Sequence, residues 1–157
     1  MKRYSVQEAK EKIQRYCAYQ ERCHQEVRNK LFEYGLGRND VDELITHLIT
    51  TNFLNEERFA KAFAGGKFRM KKWGRLKIVH ALEAKGLTSN CIKAGLNEIE
   101  PGDYLKTIHD FLVHKNNTIL TDNIYEQRDK LSKAAILKGY EPELVWTILR
   151  EILPDHK

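Results

Sequence analysis

Residues 78–99 read IVHALEAKGLTSNCIKAGLNEI, and Gly86 near their centre decides the fold. The aliphatic Ile78 stands eight residues before it. Ile92, Leu96 and Ile99 follow it at six, ten and thirteen residues. The same frame recurs around Gly35, with Val27, Val41, Ile45 and Leu48, and around Gly139, with Leu131, Val145, Leu149 and Ile152. The glycines lie 51 and 53 residues apart. A fixed period of this size marks tandem supersecondary units. Each glycine is expected just past a helix end, where a left-handed cap strains glycine least. Repeats of this kind present surface rather than a buried pocket, and so point to partners.

Working outward, each unit reads as three helices, giving an all-α chain of about nine helices. The expected repeats are residues 5–54, 55–100 and 101–153, stacked into an elongated, curved body. Ser5 and Glu8 form a capping box before a helix with Ala9, Ile13, Tyr16 and Cys17 on one face. A second helix covers about 24–34, and Asn39 is expected to cap the third, with Asp40, Asp42 and Glu43 in its first turn. Asn55 caps the fourth helix, whose inner face carries Phe59, Phe63 and Phe68. Gly65-Gly66 is expected to interrupt it, at roughly 1 kcal/mol per glycine relative to alanine. Gly74 starts the fifth helix, and Thr88 or Ser89 opens the sixth, in which Gly95 implies a close neighbouring backbone. Pro101-Gly102 marks a boundary. A helix follows over about 103–114 with Leu105, Ile108, Phe111 and Leu112. Pro142 suits the first position of the ninth helix. No stretch alternates as a strand would.

Composition limits function. The 157 residues are 41% hydrophobic and 31% charged, as in a soluble globular protein. No run approaches the ~18 apolar residues of a membrane span. Met1-Lys2-Arg3-Tyr4-Ser5 has two cations but no apolar stretch behind it, so no secretion signal is expected. Cys17, Cys23 and Cys91 have no zinc-like spacing and read as reduced thiols of a cytoplasmic protein. Cys17 is placed in the core. No metal or cofactor is expected. Helix caps and dipoles account for Asp40, Asp42, Glu43, Glu56 and Glu57, and Gly65-Gly66 lacks the Gly-Lys-Ser/Thr of a phosphate loop. The histidines show no catalytic spacing, so no enzyme is expected. The helix–glycine–helix joints resemble a DNA-reading motif in outline. Two of the three helices that would enter a groove begin acidic, however, which argues against base readout.

Charge is localised. Between Lys61 and Lys93, nine Lys or Arg stand against the single acid Glu83, so this stretch is +8 within a chain of net +5. Its centre is Lys67-Phe68-Arg69-Met70-Lys71-Lys72-Trp73-Gly74-Arg75-Leu76-Lys77. Fixed cations on a surface suit phosphates or acidic side chains. Phe68 and Trp73 are expected in the core rather than as stacking platforms. The candidate contact residues are Lys67, Arg69, Lys71, Lys72, Arg75 and Lys77, with Lys61 and Lys85 as extensions.

Leu54-Asn55-Glu56-Glu57-Arg58-Phe59-Ala60, the basic run, Trp73-Gly74-Arg75, Ile78, Leu82 and Lys85-Gly86-Leu87 together resemble the RecX family of bacterial recombination regulators. The likeness extends over nearly the whole chain. Two departures stand out: Gly65-Gly66 falls where relatives carry a continuous helix, and Arg75 where many carry proline. The resemblance implies three-helix tandem repeats and a monomeric non-enzyme. Such a protein binds the RecA filament on DNA and mostly inhibits its recombinase, ATPase and co-protease activities. Some relatives bind DNA directly. The alternative is a helical module that binds DNA non-specifically without RecA.

Overall fold

The structure is a computed structural model, and it describes residues 3–154. Met1 and Lys2, from the leader reading, lie outside the described residues. Among those residues the secondary structure is nine α-helices. They are α1 (Val6–Tyr19), α2 (His24–Glu33), α3 (Arg38–Thr50), α4 (Glu56–Lys71), α5 (Arg75–Ala84), α6 (Ser89–Leu96), α7 (Pro101–Asn116), α8 (Ile124–Leu137) and α9 (Pro142–Ile152). No described helix is long and apolar enough to cross a membrane.

The three glycine joints are built alike. Gly35, Gly86 and Gly139 have φ of 90°, 81° and 99°. At each, the glycine N–H donates to the carbonyl three residues back, at 2.9 Å in every case. The next N–H donates five residues back: Leu36 to Leu31, Leu87 to Leu82 and Tyr140 to Ala135. This Schellman pattern satisfies carbonyls that a helix end leaves bare. Leu36, Leu87 and Tyr140 are buried, so each joint also turns an apolar side chain inward. Of the twelve framing aliphatics, ten are buried; Leu96 and Ile152 are half-buried.

The described residues group into two compact units. One comprises the chain up to Phe63 together with Leu82–Gly95; the other comprises Ala64–Ala81 together with the chain from Leu96 onward. In the first unit α1, α2 and α3 pack on one another. Their core includes Ala9, Ile13, Cys17, Val27, Leu31, Val41, Ile45 and Leu48. The capping box closes as expected: Ser5 Oγ accepts from the Glu8 N–H at 3.1 Å, and Glu8 Oε1 accepts from the Ser5 N–H at 3.0 Å. Gly95 lies against Ala60, whose carbonyl oxygen would stand 2.7 Å from an added Cβ, so the close backbone is Ala60 of α4. Arg58 ties this unit together. Its Nε lies 2.6 Å from Glu21 Oε1, and its Nη2 donates to the Asn52 carbonyl at 3.0 Å. In the second unit α7, α8 and α9 pack on one another. A run of rings, Phe68, Tyr104, Tyr140 and Phe111, crosses its core with centroids 5.7 to 6.0 Å apart.

Several local expectations are corrected. α4 runs through Gly65-Gly66 without a break. Gly65 is buried, and an added Cβ there would stand 2.7 Å from the Arg69 guanidinium. Tertiary burial of its apolar face, which includes Phe59, Ala60, Ala64 and Phe68, holds a helix that propensity alone would weaken. The N-cap of α3 is Gly37, not Asn39, which lies inside the helix. The boundary at Pro101 is where α7 begins, two residues before the expected start, and the Glu100 carboxylate caps that helix through the Gly102 and Asp103 N–H groups. That places Tyr104 in the core and leaves Leu105 exposed.

Cys17 and Cys23 are both buried, and burial pushes each thiol up to about 11. The thiolate is the reactive form. At pH 7.5 an aromatic disulfide reagent should therefore label half-buried Cys91 first. The other two should react only on unfolding, which stopped-flow absorbance would register.

Candidate functional site

The basic run ends α4, turns through Lys72, Trp73 and Gly74, and enters α5. Lys72 has φ of 59°, the left-handed region that costs a non-glycine residue roughly 1 kcal/mol or more. Contacts from the joint between α8 and α9 hold it there. The Tyr140 hydroxyl donates to the Lys72 carbonyl, and Lys138 Nζ donates to the Lys71 carbonyl at 2.7 Å. The Gly74 N–H donates to the Lys138 carbonyl at 2.8 Å, and the Leu76 N–H to the Gly139 carbonyl at 3.0 Å. Two carbonyls just past α8 thus receive N–H groups at the start of α5. Between these two, the Tyr104 hydroxyl accepts from the Arg75 N–H at 2.9 Å.

This arrangement divides the sequence candidates. Arg69, Lys71 and Lys72 are exposed at the end of α4. Lys67 and Lys77 are half-buried and flank Trp73, with their ammonium groups 5.0 and 4.6 Å from its ring. Trp73 is itself half-buried rather than in the core, whereas Phe68 is buried as expected. Arg75 is turned inward. Its guanidinium lies 4.0 Å from the Tyr104 ring, and its Nη1 is 2.9 Å from Glu141 Oε2, with only 28% and 20% of the two side chains exposed. Lys61 pairs with Glu57 at 3.3 Å, and Lys85 with Glu26 at 3.5 Å.

Sequence reasoning missed Tyr104, Lys106, Lys138 and Glu141. An open recess of about 510 Å³ joins Phe68, Arg69 and Lys72 to Lys106, Phe111 and Lys138. Asp103 and Asp110 line it as well, and Asp110 lies 3.5 Å from Lys106. Burial, and then the nearby Lys77 charge, lower the Lys138 ammonium from its usual value. Burial and the Glu141 carboxylate raise the Tyr104 hydroxyl well above the usual tyrosine range, so it stays protonated and donates to Glu141. Tyr104→Phe would leave the Arg75 N–H and a Glu141 oxygen without this partner. It should cost about 1–3 kcal/mol in urea unfolding, the penalty of unpaired buried polar groups.

Residues 55–96 match the family model described as RecX, second three-helix domain. Curated relatives agree over most of the chain. The regulatory protein RecX of Clostridium perfringens (strain 13) is 28% identical over 133 residues, covering 83% of this chain and 62% of the relative. That of Prosthecochloris aestuarii is 24% identical, covering 89% and 90%. The chain is similar to RecX regulatory proteins over most of its length, and its residues 55–96 fit their second three-helix domain. It spans 62% of the Clostridium relative and 51% of the Lactobacillus gasseri one, which is 26% identical. The RecX crystal structure from Lactobacillus salivarius superposes with a TM-score of 0.84 at 20% identity, over 94% of this chain and 96% of that one. A second RecX crystal structure gives 0.82 at 16% identity. At these identities the structures show the shared fold. The matched RecX segment contains the basic turn; its α8–α9 clasp lies outside that segment.

Proposed function

We propose that this RecX-like chain regulates the RecA recombinase by binding the RecA filament on DNA, mostly inhibiting its strand exchange, ATP hydrolysis and co-protease activities. It does so as a cytoplasmic monomer and a binding protein, not as an enzyme. The observation that carries the reading is the placing of Arg69, Lys71 and Lys72 as exposed cations at one fixed turn. Holding the turn before binding lowers the ordering cost that flexible cations incur on meeting an anionic surface. The surface they meet is RecA or the phosphates of its DNA. Arg75 takes the supporting role, since a guanidinium paired with Glu141 and lying over Tyr104 positions the turn rather than reaching outward. The test adds the intact protein to RecA of the same bacterium on single-stranded DNA and follows ATP hydrolysis and strand exchange. A fall in both at stoichiometric amounts supports the reading. No change, with DNA binding intact, overturns it in favour of a non-specific DNA-binding module. Salt gives a second readout, because pure phosphate binding weakens steeply on a log–log scale.

A further inference from the structure

Far along the sequence from the basic turn, the first unit carries a different kind of surface. Lys12, Arg15, Tyr16 and Tyr19 of α1, Arg22 of the following turn and Tyr34 beyond α2 line one open recess of about 460 Å³. None of these six is acidic. Two of the residues are fixed against each other: the Arg22 guanidinium lies 3.6 Å from the Tyr16 ring centre, and its Nε donates to the Tyr16 carbonyl at 3.1 Å. Lys30 lies 5.6 and 5.9 Å from the Tyr16 and Tyr34 rings, while also paired with Glu33 at 3.3 Å. Tyr19, the last residue of α1, is 83% exposed. A ring so exposed adds nothing to the core.

Cations without carboxylates select an anionic partner. Ring faces among the cations narrow the choice further. In a duplex the base faces are covered by their neighbours, whereas a single strand offers them for stacking. An acidic peptide would engage the cations and leave the rings unused. We propose that this recess is a second contact for single-stranded nucleic acid, in which Tyr19 stacks on a base while Lys12 and Arg15 hold flanking phosphates. The inference goes beyond regulation of RecA, since it needs no RecA and uses none of the residues of the basic turn.

The experiment measures binding of fluorescein-labelled oligothymidylate by the intact chain without RecA. It uses wild type, Tyr19→Ala, Tyr19→Phe and Lys12→Ala/Arg15→Ala, each also combined with Arg69→Glu/Lys71→Glu/Lys72→Glu. Circular dichroism confirms folding, which substitution of so exposed a ring should leave intact. Tyr19→Ala should weaken binding at least about fivefold, in line with loss of one base–ring stack. Tyr19→Phe should keep wild-type affinity, and the effect should persist in the combined background. The lysine–arginine pair variant should flatten the salt dependence. Affinity within twofold for Tyr19→Ala in both backgrounds overturns the proposal. So does a Tyr19→Ala loss that appears only with polyglutamate as the probe, which assigns the recess to an acidic protein. Because RecA is absent, the result is independent of whether the chain regulates RecA.

Discussion

Gly74→Ala is expected to lower the unfolding free energy by about 3 kcal/mol or more, among the largest effects of a single added methyl group. The ideal Cβ would stand 2.1 Å from the Gly139 carbonyl carbon, 2.2 Å from its oxygen and 2.3 Å from the Tyr140 nitrogen. All three are backbone atoms, so no side chain can swing aside. Relief requires α5 to draw away from the α8–α9 joint. That breaks the Gly74-to-Lys138 and Leu76-to-Gly139 hydrogen bonds. Close-packed interiors resist such shifts. Gly66→Ala is the control within the same stretch. Nothing stands within 4 Å of its Cβ, and alanine should stabilise α4 by about 1 kcal/mol. Urea unfolding of the two variants should move in opposite directions; equal shifts would refute the close-approach account.

The second large effect is functional. Reversing three exposed charges, Arg69→Glu/Lys71→Glu/Lys72→Glu, should reduce inhibition of RecA ATP hydrolysis by two orders of magnitude or more at moderate salt. Each contact that neutralises a phosphate or carboxylate becomes a repulsion. Helicity by circular dichroism should stay at the wild-type level, because the three side chains are exposed and lie at the end of α4. Arg75→Glu is a different experiment. It sets a carboxylate beside Glu141, half-buried and 2.9 Å from the present guanidinium nitrogen, and should destabilise the second unit instead. If the triple variant inhibits RecA as the wild type does, the basic turn is the wrong surface.

The sequence reveals the glycine joints because their cause is local. A left-handed cap, a carbonyl pattern and an inward apolar residue all lie within six residues, and the pattern repeats. It does not reveal which cations face outward. Arg75 looks like its neighbours in a basic run, and its partner Glu141 is 66 residues away. Gly65-Gly66 reads as a break because propensity is local, while burial of Gly65 is a tertiary fact. The shift from Leu105 to Tyr104 has a simpler origin. Pro101 starts α7 two residues earlier than composition indicated, and that extends the helix without marking which of two adjacent residues turns inward. The tyrosine recess escapes a charge count because Lys12, Arg15 and Arg22 are interspersed with Glu8, Glu11 and Glu21 along the chain.

The joint at Gly139 has a consequence for how such proteins can diversify. Tandem repeats are usually treated as interchangeable cassettes, each evolving on its own surface. Here the left-handed Lys72 and the start of α5 are completed by Lys138, Gly139 and Tyr140 from the next repeat. A middle repeat transplanted without that joint would carry every cation and lose the conformation that presents them. A chimera of this chain that exchanges the last helices can therefore be judged by whether it retains Lys138, Gly139 and Tyr140 at this seam.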